Sequence, residues 1–178
     1  PATQQYKRRR LSGVRGIETD HIKYVPINFN NDDLETELIR SGYDPNKRTV
    51  FTWEGVTMYL DPRAVDNTLA FIAKNNAKGT SLYFDYFLES ALKGDCQKPE
   101  SIALRKKSSF NGDGNEEYTF CISDGAIDIF LEQRGYILIE ELRGEDLKER
   151  YFSGANAERH VFRICGFVHA RVNNSERH

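Results

Sequence analysis

Glu54 stands directly before Gly55 in the run Arg48-Thr-Val-Phe-Thr-Trp-Glu-Gly-Val-Thr-Met-Tyr-Leu60. A carboxylate in that position can hold an ammonium group, and a charge-assisted hydrogen bond of this kind contributes on the order of 1.5–3 kcal/mol. Glycine tolerates backbone angles that other residues avoid, so the chain can turn sharply at Gly55 and come close to a ligand. Asn28 and Phe29 form a second candidate pair. The amide of Asn28 can both donate and accept, as the edge of a heterocycle requires, and the ring of Phe29 can pack on a flat one. Asp85 and Tyr86 bring a carboxyl and a phenol to a third position. Acid, amide and ring together suit a ligand that carries both a nucleobase and an ammonium group. The four histidines, His21, His160, His169 and His178, form no Ser-His-Asp pattern and read as structural or exposed. Cys96, Cys121 and Cys165 are odd in number and widely spaced, with no CxxC or HxxxH pairing. Neither a metal site nor a disulfide framework is therefore expected, and Cys121 and Cys165 read as core residues.

The elements that position these groups can be read from periodicity. Thr49 to Trp53 is β-branched or aromatic and suits a buried strand. Asp61 caps the next helix and Pro62 is its first residue. Val65, Leu69 and Ile72 give that helix one apolar face as far as about Asn75, and Gly79 closes the turn. Ser81–Phe87 is a second buried strand with Asp85 and Tyr86 near its end. Upstream, Thr3 to Leu11 suits a helix, and Ile22, Tyr24 and Val25 suit a short strand that ends near Pro26. Asn31 or Asp32 caps a helix carrying Leu34, Leu38 and Ile39, and Gly42 stops it. Downstream, Ser101 to Lys107 is helical. Asn111-Gly-Asp-Gly-Asn115 is a loop with no strand before it, so its glycine spacing does not read as a phosphate loop. A helix from Ser123 or Asp124 to Arg134 turns Ile127, Phe130 and Leu131 inward and stops at Gly135. Tyr136–Leu142 is a strand, Asp146 to Phe152 a short helix, and Arg159 to Val172 a final strand with Gly166 as a bulge. Such alternation predicts an α/β fold with parallel pairs and right-handed crossovers, and the last two strands are close enough to pair antiparallel. In open sheets of this kind ligands bind outside the carboxyl ends of the strands, which is where Asn28, Glu54 and Asp85 fall.

The chain has 178 residues, 39% of them hydrophobic and 29% charged, with a net charge of -2. That is enough for one domain with its own core. It gives no global field toward nucleic acid or an anionic membrane. The basic cluster Lys7 to Arg10 reads as a solvated helix face, because no aromatic interleaving accompanies it. No apolar run approaches the roughly 18 residues that span a bilayer. The polar opening Pro1-Ala-Thr-Gln-Gln-Tyr is not a secretory leader. A reducing, cytoplasmic setting fits these features.

Trp53-Glu-Gly-Val-Thr-Met-Tyr-Leu60 resembles the motif after strand 4 of the leucine carboxyl methyltransferase family, in its bacterial-type branch of S-adenosylmethionine-dependent methyltransferases. Pro1-Ala-Thr-Gln-Gln-Tyr-Lys-Arg8 is similar to the helix after strand 2, and Tyr24-Val-Pro-Ile-Asn-Phe29 to strand 3 and its adenine-side turn. Leu82-Tyr-Phe-Asp-Tyr86 is similar to strand 5, and Glu117-Tyr-Thr-Phe120 and Glu149-Arg-Tyr151 to the C-terminal portion. The resemblance implies a Rossmann-like class I methyltransferase fold, mostly parallel with an antiparallel C-terminal strand pair, over residues 1–172, followed by a polar tail at 173–178. It implies S-adenosylmethionine as cofactor, with Glu54 and Gly55 at its methionine end, Asn28 and Phe29 at its adenine, and Tyr59 and Tyr86 near the methyl. The family commonly has Asp at the position of Asn28.

The family's glycine-rich loop after strand 1 and its ribose-binding acid after strand 2 have no counterpart here, and Gly13-Val-Arg-Gly16 is not that loop. Those two strands lie between strands 3 and 4 in this fold, so an upstream segment that supplies them is expected. The implied reaction is methyl transfer to an oxygen of a small-molecule or peptide acceptor, with no nucleic-acid or membrane partner. A carboxylate acceptor needs no general base; for a hydroxyl, Asp85 is the first candidate. The alternative is a non-catalytic remnant of the fold that serves as an interaction module.

Overall fold

The computed structural model describes residues 2–12, 14, 21–29, 31–74, 77, 79–93, 96, 98–109 and 118–173. Two compact units divide the chain, Pro1–Asp44 and Pro45–His178. Gly13, Arg15 and Gly16, the glycine loop at 111–115, Glu117 and the tail beyond Asn173 lie outside the described residues.

The first unit contains α1 (Ala2–Ser12) and α2 (Leu34–Arg40), and the stretch 22–28 between them has no regular secondary structure. The strand expected at Ile22, Tyr24 and Val25 does not form among the described residues. A strand needs a neighbouring edge to satisfy its backbone, and here side chains of α1 meet the stretch instead. Gln4 Nε2 donates to the Val25 carbonyl at 2.7 Å. The Arg8 guanidinium lies 4.5 Å from the centre of the Tyr24 ring, so one member of the basic cluster has a structural contact. The α2 cap is Asp33, whose Oδ1 accepts from Thr36 N–H at 2.7 Å. Asp32 lies one residue before the cap, and its Oδ2 accepts the Asn28 N–H at 2.7 Å. Gly42, at φ +89°, ends the helix: its N–H reaches Ile39 O and that of Tyr43 reaches Leu38 O, the paired bonds of a Schellman stop. Leu34 and Leu38 are half-buried, while Ile39 is exposed.

The second unit is built on a four-stranded sheet in the order β1-β2-β4-β3. Its strands are β1 (Val50–Trp53), β2 (Ser81–Phe87), β3 (Tyr136–Leu142) and β4 (Cys165–Val172). β1 and β2 are parallel, joined through α3 (Pro62–Lys74). β4 runs antiparallel to both β2 and β3. Three strands therefore share one direction and only the last opposes them. The start of α3 follows the sequence reading: Asp61 Oδ1 accepts from Arg63 N–H at 2.8 Å. Its face of Val65, Leu69 and Ile72 is buried, and it meets the sheet where the Tyr136 hydroxyl donates to Leu69 O at 2.6 Å and the Phe51 and Phe71 rings meet edge-on at 6.5 Å. A further helix, α4 (Glu89–Lys93), follows β2 directly, and α5 is Pro99–Ser109. The next helix is shorter than expected, with α6 at Ile127–Glu132, where Ile127 and Leu131 are buried. α7 spans Gly144–Tyr151.

The last strand also begins later than expected, at Cys165. Upstream of it the buried apolar residues are Val161 and Ile164, three apart, a spacing that a strand of period two cannot place on one face. Gly166 is not a bulge. It sits in register with Tyr86, and the irregularity lies in β3 between Leu138 and Glu140. A Cβ at Gly166 would lie 2.5 Å from Tyr86 Cε1, so the absent side chain is what admits the Tyr86 ring.

Candidate functional site

The β1–β2 ladder ends at Trp53 and Phe84. Glu54 is the first residue past β1, while Asp85, the next residue on β2, is still in the sheet and pairs with Phe167 of β4. Glu54 is exposed, and no hydrogen bond or ion pair of its carboxylate is found among the described residues. Gly55 follows at φ +67°, where other residues are strained. Nothing lies within 4 Å of where its Cβ would be, so the backbone there is open to approach.

This turn is anchored at both ends. Gly55 N–H donates to Asp85 Oδ1 at 2.7 Å. Thr57, fully buried at the start of a 3-10 turn (Thr57–Tyr59), donates its hydroxyl to the Asp85 carbonyl. On the other side Thr119 N–H donates to Met58 O at 2.9 Å, and Thr119 Oγ1 to Leu60 O at 2.7 Å. Tyr59 rests beside Tyr118, their ring centres 5.2 Å apart, and Tyr118 meets Phe87 edge-on at 5.1 Å.

Burial raises the Asp85 carboxyl above its ordinary range. The Gly55 N–H opposes that rise, and the neighbouring Glu54 charge adds to it. Tyr86 points to the opposite face of β2. It is fully buried, and its hydroxyl donates to Glu141 Oε1 at 2.7 Å. Arg143 Nε holds the same oxygen at 3.0 Å. Desolvation first, and the Glu141 hydrogen bond second, push the Tyr86 phenol upward.

The structure thus brings Glu54, Gly55 and Asp85 together, with Tyr59 on the same turn. Asn28 and Phe29 belong to the first unit, where Asn28 is exposed, Phe29 half-buried, and the Asn28 carbonyl accepts from Asn31 and Asp32 N–H. Thr57 and Tyr118 went unnoticed in the sequence. The signal for Thr57 was a lone hydroxyl between Val56 and Met58 in an otherwise apolar run. Glu54 also borders a cleft of about 250 Å³ with Tyr83, Glu140, Tyr151, Phe167 and His169. The His169 ring stacks on Tyr83 at 4.2 Å and its Nε2 lies 3.2 Å from Ser81 Oγ.

Residues 1–73 match the model of the leucine carboxyl methyltransferase family, a span that contains the Trp53–Leu60 run. The chain is 26% identical over 172 residues to YktD of Bacillus subtilis, a provisionally named S-adenosyl-L-methionine-dependent methyltransferase; the match covers 96% of this chain and 55% of YktD. A similarly named protein of Mycolicibacterium gilvum is 33% identical over 82 residues, 46% of this chain and 26% of its own length. The chain thus spans about half the length of YktD. In three dimensions, the S-adenosylmethionine-dependent methyltransferase SibL, solved in its apo form, aligns with a TM-score of 0.53 over 97% of this chain and 41% of SibL, at 11% identity. The likeness to the leucine carboxyl methyltransferase family holds, and the fold is that of the class I methyltransferases. No described helix is long and apolar enough to cross a membrane.

Proposed function

We propose that this chain forms part of an S-adenosylmethionine-dependent methyltransferase that methylates an oxygen, carboxylate or hydroxyl, of a small-molecule or peptide acceptor. The observation that carries the reading is Glu54: an exposed carboxylate at the carboxyl end of β1, on a left-handed glycine turn with open space beside it. That arrangement fits an ammonium group such as the one at the methionine end of the cofactor. When bound, the cofactor supplies a methyl already activated on a sulfonium, so the protein's task is to position two partners and exclude water.

Within this reading Glu54 holds the ammonium and Gly55 lets the backbone come close to it. Asn28 and Phe29 serve the adenine edge and face, as the family resemblance suggests. Tyr59, supported by Tyr118, lines the approach to the methyl. A carboxylate acceptor needs no general base; for a hydroxyl acceptor Asp85 is the candidate, through the oxygen that does not accept the Gly55 N–H. The relatives' names lend support to a methyltransferase and none to a non-catalytic module.

The test is transfer of labelled methyl from S-adenosylmethionine by the complete gene product that carries this chain, with carboxylate and hydroxyl acceptors compared. Base-labile label is the expected product of a carboxyl ester. Base-stable label would move the acceptor to a hydroxyl. No transfer together with no cofactor binding would refute the reading.

A further inference from the structure

We infer that Asp85 is a positioning residue that sets the direction in which Glu54 leaves β1, an inference that rests on the cofactor reading above. The backbone ladder between β1 and β2 stops at Trp53 and Phe84, one residue before the acid that has to be aimed. Beyond that point Gly55 takes φ +67°, a conformation that no parallel ladder continues. The Asp85 side chain replaces the missing rung by accepting Gly55 N–H at 2.7 Å, and its own carbonyl accepts the Thr57 hydroxyl. One residue of β2 therefore fixes the turn on both sides of the glycine hinge, and Glu54 sits at the hinge's near end.

The choice of an acid for this task is costly, since Asp85 is half-buried and stands next to the Glu54 charge. An uncharged acceptor would hold the same amide.

The test uses Asp85→Asn and Asp85→Ala in the complete gene product, with S-adenosylhomocysteine as the probe. Asn retains an oxygen for the Gly55 amide and Ala does not. Affinity is expected to stay within about threefold of wild type in Asp85→Asn and to fall by about tenfold in Asp85→Ala, the loss of roughly one hydrogen bond to a charged group. In the ligand-free protein, exchange of the Gly55 amide is expected to remain slow in Asp85→Asn and to speed up by at least about tenfold in Asp85→Ala. Full affinity in both variants with turnover lost in both would overturn the inference and make Asp85 a proton acceptor. Should Asp85→Ala not fold, Thr57→Val breaks only the second anchor. It is expected to weaken binding a few-fold and to be rescued by Thr57→Ser, and unchanged affinity and exchange in Thr57→Val would overturn the inference. Glu54→Ala separates the two levels. Weakening there with none in Asp85→Ala sinks the positioning role alone, whereas no weakening at Glu54 sinks the cofactor reading itself.

Discussion

Gly166→Ala is the substitution whose cost the packing determines most directly. The glycine is not in a positive-φ conformation, so alanine meets no backbone strain there. Its Cβ, however, would stand 2.5, 2.7 and 2.8 Å from Cε1, Cζ and the hydroxyl oxygen of Tyr86. That ring is rigid and fully buried, so it cannot swing into solvent. Overpacking of a tight core costs about 1–3 kcal/mol. Moving the ring also stretches or breaks the hydrogen bond from Tyr86 to Glu141, a bond to a charged acceptor that contributes about 1.5–3 kcal/mol. A total near ~3 kcal/mol follows, with ~5 kcal/mol if the ring is expelled. With a urea slope of about 2 kcal/mol/M, typical of a small protein, the midpoint falls by about 1.5 M. Tyr86→Phe is the companion measurement. It keeps the ring and removes only the hydroxyl, so it costs about 1.5–3 kcal/mol and leaves the Gly166→Ala clash with Cε1 in place. Tyr86→Leu removes the ring, so the double variant with Gly166→Ala should cost less than the sum of its parts. A Gly166→Ala midpoint within experimental error of wild type, or strict additivity with Tyr86→Leu, would refute the steric account.

Two further outcomes follow from burial. The His169 imidazole is lowered below its ordinary value, first by desolvation and then by Arg171, with Glu140 opposing. Its folded pKa is thus below its unfolded one, and its neutral form gives stability that is present above about pH 6.5 and lost as pH falls through the folded value. Thermal midpoints are expected to decline on acidification below 6.5 and to decline less in His169→Gln; an identical slope in both proteins would contradict this. Burial, with Asp85 second, holds the Cys165 thiol up at about 12. Alkylation at pH 8 should therefore spare Cys165 until urea unfolds the chain, and equal labelling of native and unfolded protein would count against it.

Much of the second unit was legible because local signals agreed with its packing. β2 and β3 have the ends expected from their apolar runs, with Gly79 and Gly135, both at positive φ, stopping the preceding segments. Asp61 and Pro62 marked the start of α3, and Val65, Leu69 and Ile72 its buried face. The misses share a cause. Ile22, Tyr24 and Val25 have strand-forming side chains, but pairing depends on a neighbour that no local pattern reveals, and Gln4 takes the Val25 carbonyl instead. Gly166 looked like a bulge because its reason, the Tyr86 ring 80 positions away in sequence, is visible only in space. The end of β1 before Glu54 and the turn at Gly55 could be read from the order of residues alone. The anchoring role of Asp85 could not, because it depends on where the β1–β2 ladder ends.

The central claim, that the Glu54 carboxylate holds the ammonium of the cofactor, is tested most directly by calorimetric titration of S-adenosylmethionine into the complete gene product and its Glu54→Gln variant. Loss of one charge-assisted bond of 1.5–3 kcal/mol predicts about 10- to 100-fold weaker binding with an unchanged melting temperature, since the side chain is exposed and makes no ion pair among the described residues. Equal affinity in the two proteins would contradict the account.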